Sequence, residues 1–182
     1  GSYIVNLNVA DSEVLIENGA STSGGSLVYF AKGATATVTG CDLTALKDVA
    51  FQSARRATPV VVSIANASVT SGAASPLIKG GNGVAFDISL LEGAKITVND
   101  AEVFSPANAS TVTWSGAVIT LTGADAVLAN VGDLGDIAFT ITSGGVVLAN
   151  GAAVPAVELD AVIPWDKVDI AFTEYEATYE IT

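Results

Sequence analysis

The sequence contains no histidine, a single cysteine, and seven Lys and Arg against nineteen Asp and Glu, for a net charge of −12 over 182 residues. The missing histidine excludes Ser-His-Asp and Cys-His catalytic groupings and every histidine-bearing metal site. A lone Cys41 excludes an internal disulfide. With no histidine to serve as its base, Cys41 reads as a small buried hydrophobe. The shortage of basic residues excludes a nucleic-acid backbone as partner, because that contact needs clustered Lys and Arg to release counterions. It also disfavours anionic lipid surfaces. Charged residues make up only 14% of the chain, where ~25% is typical. Apolar residues make up 50%, yet no apolar run approaches the ~20 residues of a membrane-spanning helix, so no membrane span is expected. So much apolar surface with so little charge implies a fold that hides an unusual share of its surface, or neighbouring subunits that cover it.

What the chain does have is repetition. Gly116–Asp125 reads Gly-Ala-Val-Ile-Thr-Leu-Thr-Gly-Ala-Asp, Gly33–Asp42 reads Gly-Ala-Thr-Ala-Thr-Val-Thr-Gly-Cys-Asp, and Gly93–Glu102 reads Gly-Ala-Lys-Ile-Thr-Val-Asn-Asp-Ala-Glu. Looser copies cover Asn8–Glu13, Ser63–Ser68 and Thr140–Gly145. The first polar residues of the six units are Asn8, Thr37, Ser63, Thr97, Thr120 and Thr140, spaced by 29, 26, 34, 23 and 20 residues. Periods of ~20 to 50 residues signal solenoids. Irregular periods suit a parallel β-helix, whose loops vary while its strands stay stacked. Gly, Asn and Asp would supply the kinks between strands, since they tolerate left-handed backbone.

The expected fold is therefore all-β. It is a single mainly-β domain over 1–182, with a repeat region at 3–151 and an acidic region at 152–182. The repeats form a short parallel β-helix, or β-solenoid, with a C-terminal strand that caps it or is exchanged. The alternative is a β-sandwich or Greek-key barrel. It is raised by the Asp/Gly-Val/Ile-Ala-Phe tetrapeptides at 48–51, 83–86, 136–139 and 169–172, which do not keep phase with the main repeat. One stretch, 42–56, is expected to be helical, with Asp42 as its cap and Arg55-Arg56 at its carboxyl end. Gly80-Gly81-Asn82-Gly83 has the composition of a phosphate cradle, but a strand pattern rather than a helix follows it, so it reads as a glycine turn.

Glu13, Asp42, Glu102 and Asp125 fall at equivalent places in their repeats. Stacked on a β-helix they would form a carboxylate ladder that must be solvated, partly protonated or bridged by a cation. Asp42, Glu102 and Asp125 are thus the candidate metal ligands, and calcium is the cofactor such oxygen donors would hold. A carboxylate pair in a groove beside Trp114 would instead suit glycan hydrolysis. No motif assigns a catalytic residue, and the chain is expected not to be an enzyme. Asn66-Ala67-Ser68 and Asn108-Ala109-Ser110 match the N-glycosylation pattern.

The last ten residues alternate cleanly, with Thr173, Tyr175, Ala177, Tyr179 and Ile181 opposite Glu174, Glu176, Thr178, Glu180 and Thr182. This strand and Tyr3–Leu7 are the candidates for strand addition to a neighbour. That assigns Tyr3, Val5, Leu7, Tyr175, Tyr179 and Ile181 to a subunit interface. Together these features point to a non-enzymatic structural subunit located outside the cell, on a cell surface or on a virion. It would self-assemble as a homo-oligomer or polymer into a filament, tube, layer or appendage. The overall composition, rich in Ala, Thr, Val and Gly, is similar to that of surface-layer, adhesin and phage appendage proteins. The alternative is a carbohydrate-binding or carbohydrate-cleaving β-helix of adhesin or depolymerase type, with a glycan as partner.

Overall fold

The computed structural model describes residues 12–16, 26–30, 34–45, 49–54, 60–81, 83–130, 137–149 and 168–173. These residues form fourteen strands and no helix. In chain order they are β1 (Ser12–Ile16), β2 (Ser26–Phe30), β3 (Ala34–Thr39), β4 (Cys41–Ala45), β5 (Val49–Ser53), β6 (Val60–Ala65) and β7 (Ser68–Thr70). Then follow β8 (Ile78–Lys79), β9 (Phe86–Leu90), β10 (Lys95–Asn99), β11 (Phe104–Ser105), β12 (Ser110–Thr122), β13 (Ile137–Ala149) and β14 (Val168–Thr173). Each strand pairs in parallel with the strand one turn away. The result is a β-solenoid of about 4 turns.

The turns have three faces. The first holds β3, β6, β9 and the amino halves of β12 and β13. The second holds β1, β4, β7, β10, the carboxyl halves of β12 and β13, and β14. The third holds β2, β5, β8 and β11. β12 runs from the first face onto the second and so joins both into one 10-stranded sheet.

Each strand is specified by a two-residue alternation. In β6, Val60, Val62 and Ile64 are buried, while Val61, Ser63 and Ala65 are half-exposed. In-register pairing then turns buried residues into columns. Val38, Ile64, Leu90, Trp114 and Ile141 stack inside the first face. Leu43, Val69, Ile96, Ile119 and Val146 stack inside the second, and Phe51, Ile78 and Phe104 inside the third. Each fully buried aliphatic side chain contributes about 1.5–3 kcal/mol. The columns are tied together by edge-to-face aromatic pairs, Phe30 with Phe86 at 6.4 Å and Phe104 with Phe139 at 5.9 Å.

The pairing explains why the repeat looked irregular. The five units whose first polar residue is described are drawn from two faces. Thr37, Ser63, Ser89, Thr113 and Thr140 are in register on the first face, at intervals of 26, 26, 24 and 27 residues. Thr44, Thr70, Thr97 and Thr120 are in register on the second, at intervals of 26, 27 and 23. Within a face the phase is kept; Asn8 lies outside the described residues. Of the Phe tetrapeptides, Phe51 lies in β5 on the third face and Phe172 in β14 on the second, while Phe86 in β9 and Phe139 in β13 share the first face two positions out of register. Phe51 and Phe86 are buried and Phe139 packs against the core, so this segment fills the interior at more than one place in the turn and keeps no phase with the main repeat.

The expected helix over 42–56 is not formed. Its described residues lie in β4 and β5. Cys41, Leu43 and Ala45 are buried with Asp42 exposed between Cys41 and Leu43, a period of two rather than 3.6. Local propensity for Leu, Ala and Lys is worth tenths of a kcal/mol per residue, less than burying Leu43 and Phe51 in their columns.

The corner between the first and second faces is a stack of left-handed residues, Gly40 (φ 64), Asn66 (φ 47), Gly93 (φ 74) and Gly116 (φ 80). The stack is hydrogen-bonded from turn to turn, Gly40 N–H to Asn66 O at 2.9 Å and Asn66 N–H to Glu92 O at 3.0 Å. One turn later the constraint is a side chain. Trp114 is fully buried, and its Nε1–H donates to Ala117 O at 2.8 Å. Gly144 lies against that indole, where a Cβ would stand 2.2 Å from Nε1. Gly144→Ala should therefore cost about 1–3 kcal/mol through overpacking. It should appear as a lower denaturant midpoint at unchanged m-value. A wild-type midpoint would show that the indole can move aside.

Candidate functional site

The structure does not stack the candidate carboxylates into one ladder. Asp42 is exposed on β4, in register with Glu13 on one side and Ser68 on the other. Its rank continues through Lys95, Val118, Gly145 and Asp169. Glu102 lies beyond β10, bridges in parallel to Val127, and accepts a hydrogen bond from Asn130 Nδ2. Asp125 is exposed in the turn after β12, where its backbone N–H reaches Asp100 Oδ1 at 3.5 Å.

The reason is register. Ile96 pairs with Ile119, an offset of 23, but Glu102 pairs with Val127, an offset of 25. The turn after β12 is thus two residues longer, and it carries Asp125 out of line with Glu102. Among the described residues no group of three or more His, Cys, Asp or Glu is placed to hold a metal.

The carboxylate that sequence reasoning missed is Asp100. It sits at φ 50 at the corner after β10, and Gly123 passes beside it one turn on. A Cβ at Gly123 would fall 1.9 Å from Asp100 Oδ1, so glycine leaves the space the carboxylate fills. The Asn-Asp dipeptide at the end of β10 was the available signal, since both residues tolerate left-handed backbone.

Trp114 is a core residue and offers no sugar-stacking platform. Of the Gly80-Gly81-Asn82-Gly83 cluster, Asn82 lies outside the described residues; Gly81 O accepts from Val84 N–H at 3.0 Å across a tight turn, and Gly81 N–H donates to Ser53 Oγ at 2.9 Å. A Cβ on Gly80 or Gly81 would meet the backbone of Ala107 or Ala54, so glycine there permits close approach of adjacent turns. Asn66 and Asn108 are both exposed. Ser110, by contrast, is buried: its Oγ donates to Asn108 O at 2.9 Å and accepts from Phe86 N–H at 3.0 Å. That serine is explained by closing the corner into the first face. Tyr3, Val5, Leu7, Tyr175, Tyr179 and Ile181 lie outside the described residues.

What the fold does bring together is hydroxyl groups. Alternation points Thr37, Ser63, Ser89, Thr113 and Thr140 out of the first face, and Thr44, Thr70, Thr97 and Thr120 out of the second. Their neighbours bond from turn to turn: Thr111 Oγ1 to Asp87 Oδ1 at 2.8 Å, Thr142 Oγ1 to Ser115 Oγ at 2.8 Å, and Thr122 Oγ1 to Asn99 Oδ1 at 3.0 Å. The Thr-x-Thr alternation was legible within each strand. Alignment between strands was not, because it depends on loop lengths. Comparison with protein-family models, curated proteins and solved structures finds no match.

Cys41 is buried at the start of β4. Burial pushes its thiol pKa up, the neighbouring Asp42 charge adds to this, and a hydrogen bond with the Thr39 backbone partly opposes it. The thiol therefore stays protonated and shielded at neutral and mildly alkaline pH. Native protein at pH 8 should react with a disulfide-exchange reagent far more slowly than protein in guanidinium, which should release one equivalent at once. Equal rates would contradict the burial.

Proposed function

We propose that the chain is a non-enzymatic structural module that works outside the cell or on a virion and self-assembles into an ordered homopolymer. The observation that carries this reading is the pairing at the amino-terminal end of the stack. Among the described residues, β1, β2 and β3 each pair on one side only. A terminal rung of parallel strand presents unpaired N–H and C=O groups, which act as a template for another chain. Strand addition from 3–7 or 173–182 of a neighbour would satisfy them. The low charge of the outward ranks supports lateral packing as well. No observation favours the glycan alternative over this reading, because Trp114 is interior and Asp42 stands apart from Glu102 and Asp125.

The test is solution mass by light scattering, with negative-stain images, in buffer with calcium and with chelator. Regular particles far above 18.2 kDa are expected in both, since the carboxylates are dispersed. Removal of residues 174–182 should abolish them while leaving the circular dichroism spectrum intact. A monodisperse 18.2 kDa species in both buffers would overturn the proposal. Particles that dissolve in chelator would show that a cation holds the assembly.

A further inference from the structure

The first face carries a two-dimensional array that assembly does not require. Thr37, Ser63, Ser89, Thr113 and Thr140 lie one above another over five strands, with no register shift through this part of the pairing. All five carry a hydroxyl. Each points outward between residues of the inner columns, as Thr113 does between Val112 and Trp114. Adjacent parallel strands are ~4.8 Å apart, so the hydroxyls repeat at that distance along the axis. Alternate residues within a strand are ~6.6 Å apart, which places a second rank of Thr35, Val61, Asp87, Thr111 and Ala138 beside the first. A third rank begins with Thr39 and Ala65 and resumes, beyond β9, with Ser115 paired to Ser143. The array is hydroxyls and methyls. Its one described charge, Asp87, is bonded by Thr111 Oγ1.

A periodic array without pockets or anchors fits a periodic partner. Crystalline polysaccharide is disfavoured, because sugar rings stack on aromatic side chains and the exposed Tyr29 belongs to the third face. Ice is favoured. Its surfaces repeat at spacings close to those of this array, and its lattice excludes ions. Thr and Ser hydroxyls bond as lattice water does, and methyl groups fill the spaces between. Stiff β-branched side chains on a stacked backbone lose little freedom on contact. Many weak contacts made at once give tight attachment. The second face has a similar rank in Thr44, Thr70, Thr97 and Thr120, but Asp42 and Lys95 flank it.

We propose that the first face binds ice, with Thr37, Ser63, Ser89, Thr113 and Thr140 as its central row. The inference does not rest on self-assembly. The experiment measures crystal shape and the gap between melting and freezing temperatures for the full chain. Faceted crystals and a measurable gap are expected. Thr113→Lys and, at the exposed end of the row, Thr140→Lys should each reduce the gap several-fold with an unchanged circular dichroism spectrum. Gln52→Lys on the third face should leave it unchanged. Round, unshaped crystals with no gap for the wild-type chain would overturn the proposal. So would an equal loss for Gln52→Lys, or retention on crystalline cellulose or chitin without ice shaping.

Discussion

Parallel backbone hydrogen bonding between successive turns is the constraint on which the rest of this molecule depends. Once β3 pairs with β6 and β6 with β9, each side chain must sit over a fixed residue of the next turn. Inward positions become columns of Val, Ile, Leu and Phe, and outward positions become ranks of Thr, Ser and small residues. A shift of one residue would exchange the two sets. The inner columns thus fix the register, and the register places the outer hydroxyls. The same pattern yields both a stable core and an ordered surface.

The corners make this pairing geometrically feasible. A strand must turn sharply without losing its bond to the next rung. The stack of Gly40, Asn66, Gly93 and Gly116 does so with left-handed backbone. Trp114 marks the place where side-chain volume takes over. Its indole fills the interior at the bend of β12, and β13 accommodates it with Gly144 and a local register shift. Asp100 and Gly123 repeat this reciprocity at the next corner, where one turn lacks a side chain where its neighbour carries one. Turn-to-turn complementarity of this kind explains why the period varies while the strands stay in register.

Much of the architecture was legible in the chain, for physical reasons that also mark where legibility ended. Alternation in Val60–Ala65 and Gly116–Thr122 reports a strand with one buried face, whatever surrounds it. Recurrence at intervals near one turn of chain reports stacking. Neither reports which face a unit belongs to, so Thr37 and Thr97 entered one repeat although they lie on different faces. The expected ladder of Asp42, Glu102 and Asp125 is broken in two places: Asp42 falls in the rank of Lys95 rather than that of Glu102, and two extra residues in one turn move Asp125 off the line. Asp42–Ala45 looked helical because propensity is local and register is not. Trp114 could be placed inside by its alternation with Val112, whereas Asp100 required its neighbour Gly123 to be seen.

In-register stacking of the turns underlies both the core and the outer ranks, and one distance in solution tests it directly. Spin labels replacing Thr37 and Thr140, in a chain whose Cys41 is alanine, lie four strand steps apart on the same outward row. The stacked arrangement predicts a narrow distribution centred near ~19 Å between the labelled backbones, four steps of ~4.8 Å. A broad distribution, or one centred well away from that value, would contradict the shared row and the solenoid register behind it.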